Sequence, residues 1–202
     1  LHPQPVNFAF RSSEIEPELI IVQVNPARPR LVCDAITLIA VSDTSVDYGL
    51  TLRWTIERAA VDRLLFTTPE WLQGRLRFTG DGIRRAASEF LDDGRIRWTL
   101  WLENAVRGQY LVSAVATLPP PANGLVAAPQ IHFQQAPSGA GDAEDVPVQE
   151  SFAVLVNLSG TQITAVDGET HDEVGPGELP FKLRSELLDQ ALEVVRLSPG
   201  ES

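Results

Sequence analysis

Arg95-Ile-Arg-Trp-Thr-Leu-Trp-Leu-Glu103 alternates polar and apolar residues almost without a fault, with Trp101 alone in a polar position, and Leu50-Thr-Leu-Arg-Trp-Thr-Ile-Glu57 alternates throughout. A period of two sends successive side chains to opposite faces of an extended strand, so both stretches are predicted to be strands buried on one face. In the first, Ile96, Trp98, Leu100 and Leu102 build a core, while Arg95, Arg97, Thr99, Trp101 and Glu103 point away from it. In the second, Trp54 falls on the core side and Arg53 on the other. Arg75 to Thr79 repeats the pattern, with Arg75 and Arg77 outside.

Turn chemistry connects these strands into an antiparallel meander. Gly80-Asp81-Gly82 precedes a strand over Ile83–Leu91, and Asp93-Gly94 separates that strand from Arg95. Asp-Gly is a strong hairpin signal because a type I′ turn needs positive φ at both central positions. Tyr110 to Leu118 forms a further strand, and the β-branched run Leu31 to Val41 closes in the turn Ser42-Asp43-Thr44. Arg58 to Phe66 reads as a bend followed by a strand ending at Pro69. Short strands are expected at Val6–Phe10 and Leu19–Val24, among Pro3, Pro5, Pro17, Pro26 and Pro29, since proline suits sheet edges and connections.

Beyond Leu118 the signals weaken. Pro119, Pro120, Pro121, Gly124 and Pro129 mark a loop, 136–147 is rich in Pro, Gly, Ala and acids, and Gln130–Gln135 between them suits one short strand. Phe152–Asn157 and Thr161–Val166 are expected to pair as a hairpin around Ser159-Gly160. From Leu183 the period changes: Leu187, Leu188, Ala191, Leu192 and Val195 lie at helical spacing between Pro180 and Ser198-Pro199-Gly200. That spacing predicts one helix of about four turns. The expected fold is therefore mainly β, an immunoglobulin-like antiparallel β-sandwich of one or two packed parts with a C-terminal α-helix. Residues 1–118 would form the sandwich core and 119–150 a loop or linker holding one short strand. Residues 151–202 would add a hairpin and the helix to the same domain.

The composition narrows the function. A chain of 202 residues with 16 basic and 27 acidic side chains carries a net charge of −11, which repels nucleic acid phosphate and anionic lipid. No apolar run approaches the roughly 20 residues a helix needs to cross a bilayer, so no direct membrane insertion is expected of this segment. Residues 51–100 are the exception in charge, with nine arginines against seven acids. Met occurs nowhere, position 1 included, which suggests a piece of a longer or processed protein. The lone Cys33 excludes an internal disulfide and a cysteine-rich zinc site, and its apolar run marks it as a small buried hydrophobe.

Catalytic constellations are not found. His2, His132 and His171 lie far apart without metal-ligand spacing, and no G-x-S-x-G elbow is present. Asp167-Gly-Glu-Thr-His-Asp-Glu173 gathers carboxylates but lacks the D-x-D-x-D-G alternation of a calcium loop, so a solvated acidic loop is expected. No cofactor and no metal are expected. A hydrolase would need two converging carboxylates, which the sequence does not single out.

What stands out is the polar face of the alternating strands, where Trp101 joins Arg53, Arg75, Arg77, Arg95 and Arg97. Cross-strand pairs of these arginines with Glu57, Glu89 or Glu103 would be worth about 0.2–1 kcal/mol each. An indole left on a wet face forfeits a large apolar area, which makes Trp101 the centre of a candidate binding face. Its occupant would be a neighbouring domain, another protein or a glycan. Gly94 to Val112, with Leu50–Glu57 and Phe152–Asn157, resembles β-sandwich regions of very large bacterial envelope proteins. The resemblance implies an extracytoplasmic scaffold, in the periplasm or on the cell surface, with no assigned activity. Together these readings predict a non-catalytic structural or interaction module, with a carbohydrate-binding module as the alternative and a hydrolase behind both.

Overall fold

The computed structural model describes residues 27–136, 143–147, 149–163, 171–182 and 190–197. Among the described residues ten strands follow one another: β1 Arg30–Val41, β2 Val46–Pro69, β3 Arg77–Thr79, β4 Ile83–Phe90, β5 Arg95–Leu118, β6 His132–Gln135, β7 Glu144–Asp145, β8 Gln149–Asn157, β9 His171–Glu173 and β10 Ala191–Leu197. They form a single sheet in the order β3-β5-β2-β1-β8-β10-β9, with β4 also on β5, β6 on β2 and β7 on β6. All pairings are antiparallel except β1 with β8, so the sheet is mixed.

Two strands of 24 residues each, β2 and β5, run through the whole sheet. They pair from Val46 opposite Leu118 to Ile56 opposite Gly108, and again from Arg63 opposite Trp101 to Pro69 opposite Arg95. Between these ladders lie residues 57–62 of β2 and 102–107 of β5, equal lengths bridged by Val61 opposite Val106. Equal lengths let both strands bend without changing register. The bend uses positive φ on each side, 66° at Arg58 and 89° at Gly108. The expected bend after Glu57 is thus real, but Arg95–Glu103 and Tyr110–Leu118, read as separate strands, are the two arms of one.

The bend divides the sheet into two halves. The larger half holds β1, β3, β8, β9, β10 and the Val46–Ile56 and Gly108–Leu118 arms; the smaller holds β4, β6, β7 and the Arg63–Pro69 and Arg95–Trp101 arms. Trp54 and Phe66 belong to opposite arms of β2 and would lie about 40 Å apart on a straight strand. Their ring centroids are 6.1 Å apart. Trp54 also meets Phe133 at 5.1 Å, and Phe78 of β3 meets Phe66 at 5.9 Å and Trp98 at 5.0 Å. Each of these contacts joins one half to the other, edge to face, the arrangement the ring quadrupole favours.

Burial follows the alternation. Leu50, Leu52, Trp54, Ile56, Ile96, Trp98, Leu100 and Leu102 are buried in the common core, and the Trp98 indole donates to Thr68 Oγ1 at 3.0 Å. β1 is apolar on both faces because both are covered. Cys33, Ala35 and Ile39 enter the common core, while Ile36 and Ala40 join Phe152, Val154, Val156 and Val194 in a second cluster packed by Val174, Leu179 and Phe181.

Several expectations are corrected. Ala191–Leu197 is a strand, not part of a helix: it pairs with β8 and β9, and no α-helix occurs among the described residues. Residues 183–189 lie outside them. Residues 161–163 are not a strand, and β8 pairs with β1 and β10 in place of the expected hairpin; 164–166 lie outside the described residues, as do Val6–Phe10 and Leu19–Val24. β3 begins at Arg77 because Arg75 N–H closes a turn onto Leu72 O. Glu144 and Asp145, within the expected acidic loop, pair with β6, and His171, expected in a loop, pairs with Leu197.

The bend yields a test. A Cβ at Gly108 would meet no atom within 4 Å, so Gly108→Ala carries only backbone strain. Urea unfolding should show a loss of about 1–2 kcal/mol, and Arg58→Gly a gain of a few tenths.

Candidate functional site

The outer face of the smaller half is a checkerboard set by register. Arg85 of β4, Trp101 of β5 and Arg63 of β2 stand in one row, because Trp101 is the partner of both arginines. The next row holds Ala87, Thr99, Leu65, Gln134 and Asp145, and the one after it Glu89, Arg97, Thr67 and His132. Arg95 lies beyond, opposite Pro69.

Most of the charge on this face is neutralised within it. Arg97 donates to Glu89 Oε1 at 2.9 Å and to Gln134 Oε1 at 2.9 Å, and Gln134 passes an amide hydrogen to Asp145 at 3.2 Å. Arg95 Nε donates to Asp93 at 2.6 Å, and that bond, with the neighbouring positive charge, holds the Asp93 carboxyl below its usual range. The top row differs. The Arg85 guanidinium lies 5.0 Å over the Trp101 ring, a cation–π contact, and Arg85 forms no ion pair among the described residues. Arg63 reaches only Asp62, its exposed neighbour in sequence, at 3.7 Å. Trp101 itself is half-buried.

The other arginines sit elsewhere. Trp54 meets Phe66 across the core, so Arg53, beside Trp54, points from the outer surface opposite to that of Trp101. There it is locked: Nε donates to Asp34 Oδ2 at 2.8 Å, a second guanidinium nitrogen also reaches that oxygen, and Nη1 donates to Pro180 O at 3.0 Å. Its plane covers the Phe181 ring at 4.8 Å. Arg53 therefore fastens residues 180–181 over the second apolar cluster. Arg75 and Arg77 line a concavity beside β3 and form no ion pair among the described residues. Of the acids expected to pair, Glu89 does so with Arg97, whereas Glu57 pairs with Arg30 at 3.2 Å.

Three residues escaped the sequence reading. Arg63 and Arg85 face Trp101 only through register, which alternation within one strand does not disclose. Trp71 lies on a 3-10 turn, Glu70–Leu72, outside any alternating run, and meets the buried Tyr48 ring at 5.1 Å. Cys33 is fully buried; desolvation, reinforced by the Asp34 charge, raises its thiol pKa and keeps it protonated and unreactive. Among the described residues no group of three His, Cys, Asp or Glu converges as a metal site would require.

No protein-family model matches the sequence, and no curated protein does. Solved structures that overlap it include GH20 exo-β-N-acetylglucosaminidase from Vibrio harveyi in complex with N-acetylglucosamine, at 11% identity and a TM-score of 0.31, and an inactive mutant of that enzyme at 12% and 0.30. Each alignment covers 72% of this chain, which spans 20% of the length of theirs. Likeness of that degree assigns neither fold nor function.

The site gives two tests. Asp34 and Arg53 side chains are 7% and 19% exposed, so Asp34→Ala strands a nearly buried cation and should cost about 3–5 kcal/mol in denaturant unfolding. The double variant Asp34→Ala/Arg53→Leu should recover part of that. His132 has its pKa lowered by burial and then by Arg95, against smaller opposing effects of Asp145 and Asp93. A depressed histidine stabilises the fold fully above its unfolded pKa of about 6.5 and loses that contribution as pH falls through the folded value. Stability measured from pH 7.5 downward should decline less steeply in His132→Gln, and identical slopes would remove His132 from the account.

Proposed function

We propose that this chain is a non-catalytic module of a larger extracytoplasmic protein, seating the outer face of its smaller half against a neighbouring domain or a second protein. The finer architecture we propose is a two-layer sandwich made by folding one continuous sheet. The Arg85–Trp101–Arg63 row carries the functional reading. Trp and Arg dominate the energetic centres of protein interfaces because each offers a large planar surface with donors at its rim. Here an indole stands between Arg85, which forms no ion pair among the described residues, and Arg63, whose partner is the exposed Asp62 at 3.7 Å, on a face otherwise balanced by its own ion pairs.

Two observations support this over the alternatives. Arg85 lies over the Trp101 ring, so a sugar stacking on that indole face would have to displace a cation. Glu89 and Asp93 each hold a different arginine, and Asp145 accepts from Gln134, so each of these three carboxylates serves a structural contact, which favours the non-catalytic reading.

Hydroxyl-radical footprinting tests the reading. Trp101 should oxidise readily in the isolated chain and be protected in the full-length protein purified from its own envelope. Equal oxidation in both preparations would refute the interface.

A further inference from the structure

Away from the Trp101 face, two shallow concavities of about 460 and 260 Å³ share Arg75 and pass round the open edge beyond β3. The first is lined by Glu70 and Trp71, the second by Arg77, Val115 and Thr117. We propose that this groove binds a carboxylate-bearing sugar, a hexuronate unit of an acidic polysaccharide.

Trp71 is 36% exposed, with the buried Tyr48 ring 5.1 Å behind it. A supported indole at a concave surface offers a flat apolar platform for the C–H face of a pyranose ring. Arg75 shares the concavity of Trp71 and Arg77 lines the adjoining one, both as planar donor forks, and such forks bind carboxylates bidentately. Their lack of acidic partners has a cause in the sequence. Residues 71–80 contain no Asp or Glu, and none occurs between Glu103 and Asp142 either. Those two stretches supply β3 and the arm of β5 it pairs with, so few acids lie near these two cations: Glu70 shares the first concavity with Arg75 and Asp47 accepts from Thr117 in the second, and neither forms an ion pair with them.

Glu70 sets the polarity of the Trp71 end of the groove. Its carboxylate accepts hydrogen bonds from sugar hydroxyls and repels a carboxylate placed there, which directs the acidic group of the ligand to the arginines. Thr117, whose hydroxyl donates to Asp47 Oδ1 at 2.6 Å, keeps lone pairs for a further hydroxyl. One anionic group at the arginines and hydroxyls elsewhere is the pattern of a uronic acid. The inference is independent of the Trp101 face, and neither stands or falls with the other.

The test uses oligogalacturonate as probe in calorimetry and in ¹H–¹⁵N spectra of the four indole N–H groups. Saturable binding is expected, with the Trp71 indole signal shifting and those of Trp54 and Trp98 unmoved. Affinity should fall at least tenfold in Trp71→Ala and in the surface double variant Arg75→Gln/Arg77→Gln, which removes no buried contact. It should fall likewise for the carboxyl-reduced, neutral oligomer and remain unchanged in Trp101→Ala. Affinity should also weaken as salt rises, as charge-assisted binding requires. The proposal is overturned by absence of binding in the parent chain, by full affinity in the arginine double variant, or by equal affinity for poly-glutamate. Should Trp71→Ala fail to fold, the arginine variant and the reduced oligomer decide the matter.

Discussion

Everything in this fold depends on two long strands bending together at the same place. β2 and β5 pair regularly on both sides of residues 57–62 and 102–107, and because these two lengths, joined only at Val61 and Val106, are equal the register is the same before and after. A bulge in one strand alone would slip the second arm by a residue and turn its buried face outward. With the bends matched, Leu64, Phe66, Ile96, Trp98 and Leu100 stay inward and are carried over onto Trp54 and Phe78. The cost is local strain at Arg58 and the use of a glycine at 108. The return is a core that neither half could close by itself.

The contacts between the two halves also fix what their outward residues can do, because the two halves are treated differently. On the larger half, Phe152, Val154 and Val156 make the outer surface apolar near β8, and Val174, Leu179 and Phe181 cover it. Arg53 holds that cover by reaching Pro180 O while its charge is met by the buried Asp34. On the smaller half the outward residues are mixed: Arg97, Glu89, Gln134 and Asp145 bond to one another, while Leu65 and Thr67 are buried among them. The same residue type therefore fastens structure on one surface and is left available on the other.

How far this was legible follows from the kind of signal each element gives. Alternation depends on burial of one face, so Leu50–Glu57 and Arg95–Glu103 could be read residue by residue, including the inward Trp54 and Trp98. The matched bend could not, because it arises from the pairing of segments far apart in sequence. The C-terminal segment misled for a related reason. Ala191, Leu192 and Val195 satisfy a helical period, but a short apolar segment satisfies more than one period, and hydrogen bonding to β8 and β9 decides for a strand. Among the candidate residues, Arg53, Arg95 and Arg97 were correctly placed outside the core, yet their fates were set by Asp34, Asp93 and Glu89, partners only the fold supplies.

Surroundings, more than charge alone, separate the remaining arginines from these. Lack of a carboxylate partner among the described residues is shared by exposed Arg58, Arg84 and Arg107, so it marks a candidate site only beside an aromatic ring or a concavity. Arg53, Arg95 and Arg97 have found theirs. Arg75, Arg77 and Arg85 have not among the described residues, and the first two lie in a sequence neighbourhood almost empty of acids. An unpaired arginine on a flat face, laid over an indole, suits a surface that will be covered by another surface. Two unpaired arginines on a concave rim, beside a supported indole, suit a small anion that brings its own flat apolar face. Shape decides which kind of partner each cluster accepts, and shape here comes from the sheet: three strands side by side where β4, β5 and β2 pair, hollow where β3 ends and β5 is left as the edge beside β2.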